Sequence, residues 1–115
     1  MPARHIVAIG GSDAGISAAL RARELDPVTD FTVVVADAYP NFSICGIPYY
    51  VSGEVTHWTN LAHRTAADLA ATGMRVLTDT TATRINADAH TLDLLDPSGT
   101  PTQLDYDALI VGTGA

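Results

Sequence analysis

The sequence predicts an α/β fold in three layers, a parallel sheet with helices and an antiparallel β-meander appended to it. Three observations carry that expectation. An apolar run, a glycine-rich turn, a helical stretch and a second apolar run follow one another in the first third of the chain. Beyond Leu77 the chain breaks into short strand-like runs separated by turn residues. Near its end it returns to an apolar run, Ala108 to Gly112.

Ile6 to Ile9 is short, apolar and closed by glycine, the pattern of a buried parallel strand. Ala14 to Leu25 places Ile16, Ala19, Leu20 and Ala22 at helical spacing, with Arg21, Arg23 and Glu24 on other faces, and Asp26-Pro27 stops the helix. Phe31 to Ala36 is β-branched and apolar, hence a second buried strand. The three together have the length of a strand-helix-strand unit. Cys45 to Ser52 reads as a short helix, because Pro48 is tolerated in a first turn and Gly53 supplies a left-handed cap. Thr65-Ala66-Ala67-Asp68 resembles a capping box and starts a helix ending near Gly73; Met74 to Leu77 is then a third parallel strand. Thr80 to Asn86, His90 to Leu95 and Thr102 to Asp105, separated by Ala87-Asp88-Ala89 and by Pro97-Ser98-Gly99-Thr100-Pro101, predict the meander. Ala108 to Gly112 is expected to be a buried strand.

At 115 residues the chain suits one domain with a modest core. Its net charge of −7 argues against nucleic acid or an anionic membrane as partner. No apolar run approaches the length of a membrane span, and the opening Met1-Pro2-Ala3-Arg4-His5 has no signal-peptide hydrophobic region. A single cysteine cannot form an internal disulfide, which fits a reducing, cytoplasmic setting.

A dinucleotide carries its charge in a pyrophosphate. Free N–H groups at a helix N-terminus meet that charge, and glycines let it approach closely. Gly10-Gly11-Ser12-Asp13-Ala14-Gly15 lies between the first strand and the first helix, so these six residues are candidate cofactor-binding positions. Gly10 is expected to make the tight turn and Gly15 to let the helix pack near the strand. Ser12 stands where the full pattern has its second glycine; its Cβ lies near the phosphate, and its hydroxyl is able to donate to it. A valine at position 10 is expected to block binding by standing against the pyrophosphate. Asp37, 22 residues after Gly15, has the separation expected of an acid that accepts from a ribose hydroxyl. Strict register points to Val35, which has no acceptor, so Asp37 is the candidate.

Eight residues beyond Asp37 comes the only cysteine, in Asn41-Phe42-Ser43-Ile44-Cys45-Gly46-Ile47-Pro48-Tyr49-Tyr50. A thiol at a helix start is favoured as thiolate, the nucleophilic form. The glycine turn, Asp37, the segment Phe42-x-x-Cys45-Gly46-x-Pro48-Tyr49-Tyr50 and the ending Tyr106 to Ala115 together resemble the single-cysteine branch of the pyridine nucleotide-disulfide oxidoreductases. That branch includes coenzyme A-disulfide reductases, NADH oxidases and NADH peroxidases. The match runs nearly end to end, and its cysteine segment is far more specific than its glycines. It departs at Ser12, where the branch itself often departs from glycine, and at Asp37, where most of the family uses glutamate; the ending resembles the second flavin motif, usually an aspartate, an apolar strand and Ala-Thr-Gly.

The resemblance implies a Rossmann-like FAD-binding domain and an enzyme that passes hydride from NAD(P)H to FAD and on to Cys45. The cysteine is implied to cycle as a mixed disulfide with a small thiol or as a sulfenic acid. The glutathione-reductase branch carries a second cysteine shortly after the first; here the second redox sulfur comes from a disulfide substrate, or a peroxide takes its place. Thr113 and Gly114 are implied in flavin binding, Ala82 matches where the family lays backbone against adenine, and Ser43 is a candidate flavin contact. In the family the chain leaves the flavin domain at Thr113-Gly114 for an NADH domain. Residues 1–115 are therefore expected to be an incomplete fragment, the N-terminal part of an FAD/NAD(P)-binding domain without the NADH and dimerisation domains. The full-length enzyme is expected to be a homodimer and the fragment alone inactive.

Two other readings stay open at this stage: an NAD(P)-binding dehydrogenase domain of the same topology, and a nucleotide-binding module without turnover in which Cys45 is inert. His5, His57, His63 and His90 lack metal-ligand spacing and lie in different segments, so solvated or capping roles are expected of them. Trp58 is expected to pack or to cover a pocket edge, and Arg21 and Arg23 to form a solvated helix face.

Overall fold

Strand β1 (His5–Ile9) occupies the middle of a four-stranded parallel sheet, with β2 (Asp30–Val34) on one side and β9 (Ala108–Val111) on the other; β5 (Arg75–Leu77) lies outside β2. The computed structural model describes residues 4–38, 41–42, 47–64 and 66–113. Register pairs Ile6 with Phe31 and with Ala108, and Val33 with Val76.

Alternation along the strands divides the core into two halves. Ala8, Phe31, Val33 and Val35 face α1 (Asp13–Leu25) and α3 (Ala66–Ala71), where they meet Ile16, Ala19, Leu69 and Met74. Val7 and Val34 face the other way, onto the meander of β6 (Thr81–Asn86), β7 (Thr91–Leu95) and β8 (Pro101–Asp105), where they meet Leu92, Leu94 and Tyr106. Helices, sheet and meander are the three expected layers, and the meander is antiparallel throughout.

The ends of the elements follow from local chemistry. Ser12 caps α1, and beyond its last turn the Asp26 N–H donates to the Ala22 carbonyl before Pro27 turns the chain. Gly73 follows α3 at φ +91°, and the Arg23 guanidinium packs over it while donating to the Thr29 carbonyl. Arg23 is thus partly buried rather than part of a solvated face; Arg21 is exposed and pairs with Glu24 at 2.9 Å. Helix α2 (Ile47–Val51) is shorter among the described residues than the span expected, and Gly53 takes the left-handed cap at φ +89°. Ser43, Cys45 and Gly114 lie outside the described residues, as does Thr65 of the expected capping box.

Three findings depart from expectation. A two-stranded ribbon, β3 (Asn41–Phe42) with β4 (Ala62–Arg64), and the 3-10 turn Trp58–Leu61 have no signature in the sequence pattern. Strand β9 is not buried. It edges the sheet, and Val111 is 62% exposed. His5 is neither solvated nor a simple cap. Its Nδ1 lies 2.7 Å from the Asp105 carbonyl and its Nε2 2.8 Å from Thr32 Oγ1, so it ties β1 to β2 and to the end of β8.

The β7–β8 turn is organised by Asp96. Its Oδ1 accepts from Ser98 Oγ, Ser98 N–H and Thr100 N–H, and these bonds hold the carboxyl below the usual carboxylate range, the Ser98 hydroxyl contributing most. A depressed folded-state pKa means that the turn's contribution is complete above the unfolded-state value of about 3.9 and is lost as pH falls through the folded-state value. NMR titration should show the Asp96 carboxyl resonance moving below that of an unstructured peptide, and the Ser98 and Thr100 amide shifts moving with it.

Candidate functional site

The turn from β1 into α1 is built where backbones nearly touch. Gly10 has φ +94°, and its N–H donates to the Val34 carbonyl at 2.8 Å. A Cβ at Gly10 would stand 2.3 Å from the Gly112 carbonyl oxygen and 2.8 Å from Thr113 Cα. Gly15 faces the Gly10 carbonyl, 3.3 Å from where its own Cβ would lie, which gives the close strand–helix approach that the sequence led us to expect. Position 10 therefore requires glycine both for its left-handed φ and for the close approach of Gly112 and Thr113. A valine there collides with Gly112 and Thr113, so the expected collision with a pyrophosphate is not the effect that such a variant reads.

Ser12 is the N-cap of α1, its Oγ accepting from the Gly15 N–H at 3.4 Å. The first turn of α1 thus presents backbone N–H groups and the positive end of a 13-residue helix, with Asp13 and Ala14 as its first two residues. That donor set suits an anion such as a pyrophosphate.

A cleft of about 380 Å³ opens at the carboxyl ends of β1 and β2, lined by Gly10, Gly11, Asp37, Ala82 and Thr113 together with Ile9, Val34, Val35, Ala36, Thr80 and Thr81. Five of the residues proposed from sequence meet there. Its position follows from the topology. The chain leaves β1 for β2 on one side, while β9 returns on the other, and crevices at such switch points are where open parallel sheets bind ligands. Asp37 is exposed on the cleft, and its Oδ1 accepts from the Ala38 N–H at 2.6 Å. Its carbonyl accepts from Asp79 N–H and that of Val35 from Thr80 N–H, both at 3.0 Å, so the β5–β6 connection holds this segment in place. Val35, the alternative by strict register, packs into the core.

Sequence reasoning passed over Gly112, Thr80 and Thr81. Gly112 carried a readable signal, since it replaces the alanine of the usual motif. The two threonines carried none. Trp58 is 46% exposed and is not among the residues that line the cleft. Among the described residues there is no group of three or more His, Cys, Asp or Glu placed to hold a metal, and no helix is long and apolar enough to cross a membrane.

Comparison with known proteins agrees with this architecture. The family model described as pyridine nucleotide-disulphide oxidoreductase matches residues 4–115. A solved NAD-dependent persulfide reductase from A. fulgidus superposes with a TM-score of 0.90 at 38% identity, over 96% of this chain and 21% of that one. An NADH oxidase of Methanocaldococcus jannaschii is 24% identical over 110 residues, which are 95% of this chain and 25% of that protein. An NAD(P)H coenzyme A polysulfide/persulfide reductase of Pyrococcus horikoshii is 44% identical over 50 residues, 44% of this chain and 11% of that protein. The chain therefore spans a quarter or less of the length of these relatives. With its fold, its switch-point cleft and a match along nearly its whole length, the chain belongs to the pyridine nucleotide-disulphide oxidoreductase family of FAD- and NAD(P)H-dependent oxidoreductases.

Proposed function

We propose that this chain is the N-terminal part of the FAD-binding domain of an NAD(P)H-dependent flavoprotein that reduces a disulfide or persulfide through Cys45. The observation that carries the reading is the cleft in which the glycine turn, Asp37, Ala82 and Thr113 converge. The α1 end would receive the pyrophosphate through backbone N–H groups, with Gly11 and Ser12 beside it. Asp37 would accept from the adenosine ribose, the Ala82 backbone would lie against adenine, and Thr113 and Gly114 would approach the flavin side of the cofactor. Bound FAD supplies two-electron acceptance from NAD(P)H and delivery of those electrons to sulfur. Cys45 supplies the nucleophile: its thiolate attacks a substrate disulfide, forms a mixed disulfide and releases one thiol, and Ser43 lies two residues before it in the sequence.

Support for a sulfur substrate comes from the two persulfide reductases among the relatives and from the absence of a second cysteine in this sequence. A second reading, reduction of oxygen or peroxide by the same route, is favoured by the NADH oxidase that aligns along nearly the whole chain. The NADH domain and the dimer surface would belong to the remainder of the full-length enzyme, which acts as a homodimer in the cytoplasm.

Asp37→Ala tests the cofactor assignment. Loss of one hydrogen bond between a charged acceptor and the ribose should weaken FAD binding by about 1.5–3 kcal/mol, roughly 10- to 150-fold. Titration of the apo full-length enzyme with FAD, followed by flavin fluorescence, measures it. Unchanged affinity in a folded variant would move the ribose away from Asp37.

A further inference from the structure

We infer that Gly112 is a positioning residue for the cofactor turn, acting through the side chain of Ser12. A Cβ at position 112 would stand 2.9 Å from Ser12 Oγ and 3.5 Å from both Cα and N of Gly15. Real carbon–oxygen contacts of that kind are longer, so one partner has to move. The β9 backbone is the harder one to shift, because the Gly112 N–H donates to the Ile9 carbonyl at 2.9 Å and Gly112 also abuts Gly10. The serine oxygen is the easier one, since a rotation about χ1 relieves the contact.

That rotation has a consequence at the site. In its present rotamer Ser12 Oγ accepts from the Gly15 N–H, which completes the first turn of α1 and leaves its own O–H to donate to an incoming anion. Rotation about χ1 breaks this bond, uncaps the Gly15 N–H and carries the hydroxyl donor elsewhere in the turn. Ser12 and Gly112 thus form a matched pair: the hydroxyl at 12 fits because position 112 has no side chain. They are also the two positions at which this sequence departs from the glycine and the alanine of the motifs it resembles, and the contact between them accounts for both departures together.

The inference deepens the FAD assignment and rests on it for its functional half. A double-mutant cycle on the full-length enzyme tests it, using Gly112→Ala, Ser12→Gly and the double variant. Two readouts are taken, the FAD dissociation constant and the Tm of the cofactor-free protein. Gly112→Ala should weaken FAD binding about tenfold and lower Tm by a few degrees, the scale of a lost cap. Ser12→Gly alone should cost little in Tm, because glycine is tolerated at an N-cap, and its own FAD dissociation constant is the reference for the double variant. In the double variant both quantities should return to within about twofold and 1 °C of Ser12→Gly alone, a rescue that a purely structural role for Gly112 would not give. Additive effects in Tm would overturn the pairing. Coupling in Tm without coupling in FAD affinity would overturn its positioning role. If the wild-type enzyme bound no FAD, the cofactor assignment would fail instead, and the Tm cycle would still decide the contact.

Discussion

Gly10→Ala should destabilise the protein severely, by about 3–5 kcal/mol. Two costs combine. The backbone at φ +94° lies in a region that penalises any side chain by about 1–3 kcal/mol. The new methyl group would also meet the Gly112 carbonyl oxygen at 2.3 Å, and overpacking of this kind costs about 1–3 kcal/mol even where neighbours can yield. Here they yield poorly. The Gly10 N–H is bonded to Val34 and the Gly112 N–H to Ile9, so relief means separating β1 from β9 or from β2. Against a typical domain stability of about 5–15 kcal/mol, the loss should lower Tm by more than about 10 °C and shorten the lifetime of the fold. Thermal unfolding followed by far-UV circular dichroism reads the effect. A Tm within about 2 °C of wild type would mean that the Gly10–Gly112 approach is not as close as described.

Cys45→Ser in the full-length enzyme should leave FAD binding intact and abolish disulfide turnover. Cys45 is assigned from the sequence alone, and its role rests on thiol chemistry. The thiolate is the nucleophilic form, and the helix start expected from the sequence would favour it. A serine hydroxyl of similar size does not ionise near neutral pH and cannot form a mixed disulfide. Two half-reactions separate the roles: NAD(P)H should bleach the flavin absorbance as in wild type, whereas subsequent addition of a disulfide or persulfide should not restore it. Slow return of colour in air is compatible with this account. Full disulfide turnover by the serine variant would make Cys45 a packing residue and remove the main reason for a single-cysteine mechanism.

The strand–helix–strand opening was legible because its signals agree with one another. Ile16 and Ala19 repeat at helical spacing, Phe31 to Val35 form a β-branched and apolar run, and Ser12 sits where a cap is needed. The meander was legible from its turn residues, with Asp96 to Thr100 closed by local hydrogen bonds to the Asp96 carboxylate. The ribbon of β3 and β4 was not, since strands of two and three residues are too short to display a period. Val111 misled for another reason: an apolar side chain at a sheet edge looks the same in sequence as one in the core. At the site, Gly10, Gly11, Asp37, Ala82 and Thr113 could be named individually, and the fold brings them to one cleft. One reason for glycine at 10, the tight turn at positive φ, could be read; the other could not, because it lies 102 residues away at Gly112, and no local pattern encodes that contact.

The central claim is that this cleft holds the adenosine and pyrophosphate of FAD rather than of NAD(P). The most direct measurement is the cofactor content of the purified full-length enzyme, by visible absorbance and by chromatography of the material released on denaturation. The account predicts a yellow protein that releases FAD at close to one equivalent per chain, with Asp37→Ala releasing markedly less after the same purification. A colourless, folded enzyme that releases no flavin and binds NAD(P)H at this cleft, with that binding weakened by Asp37→Ala, would contradict it.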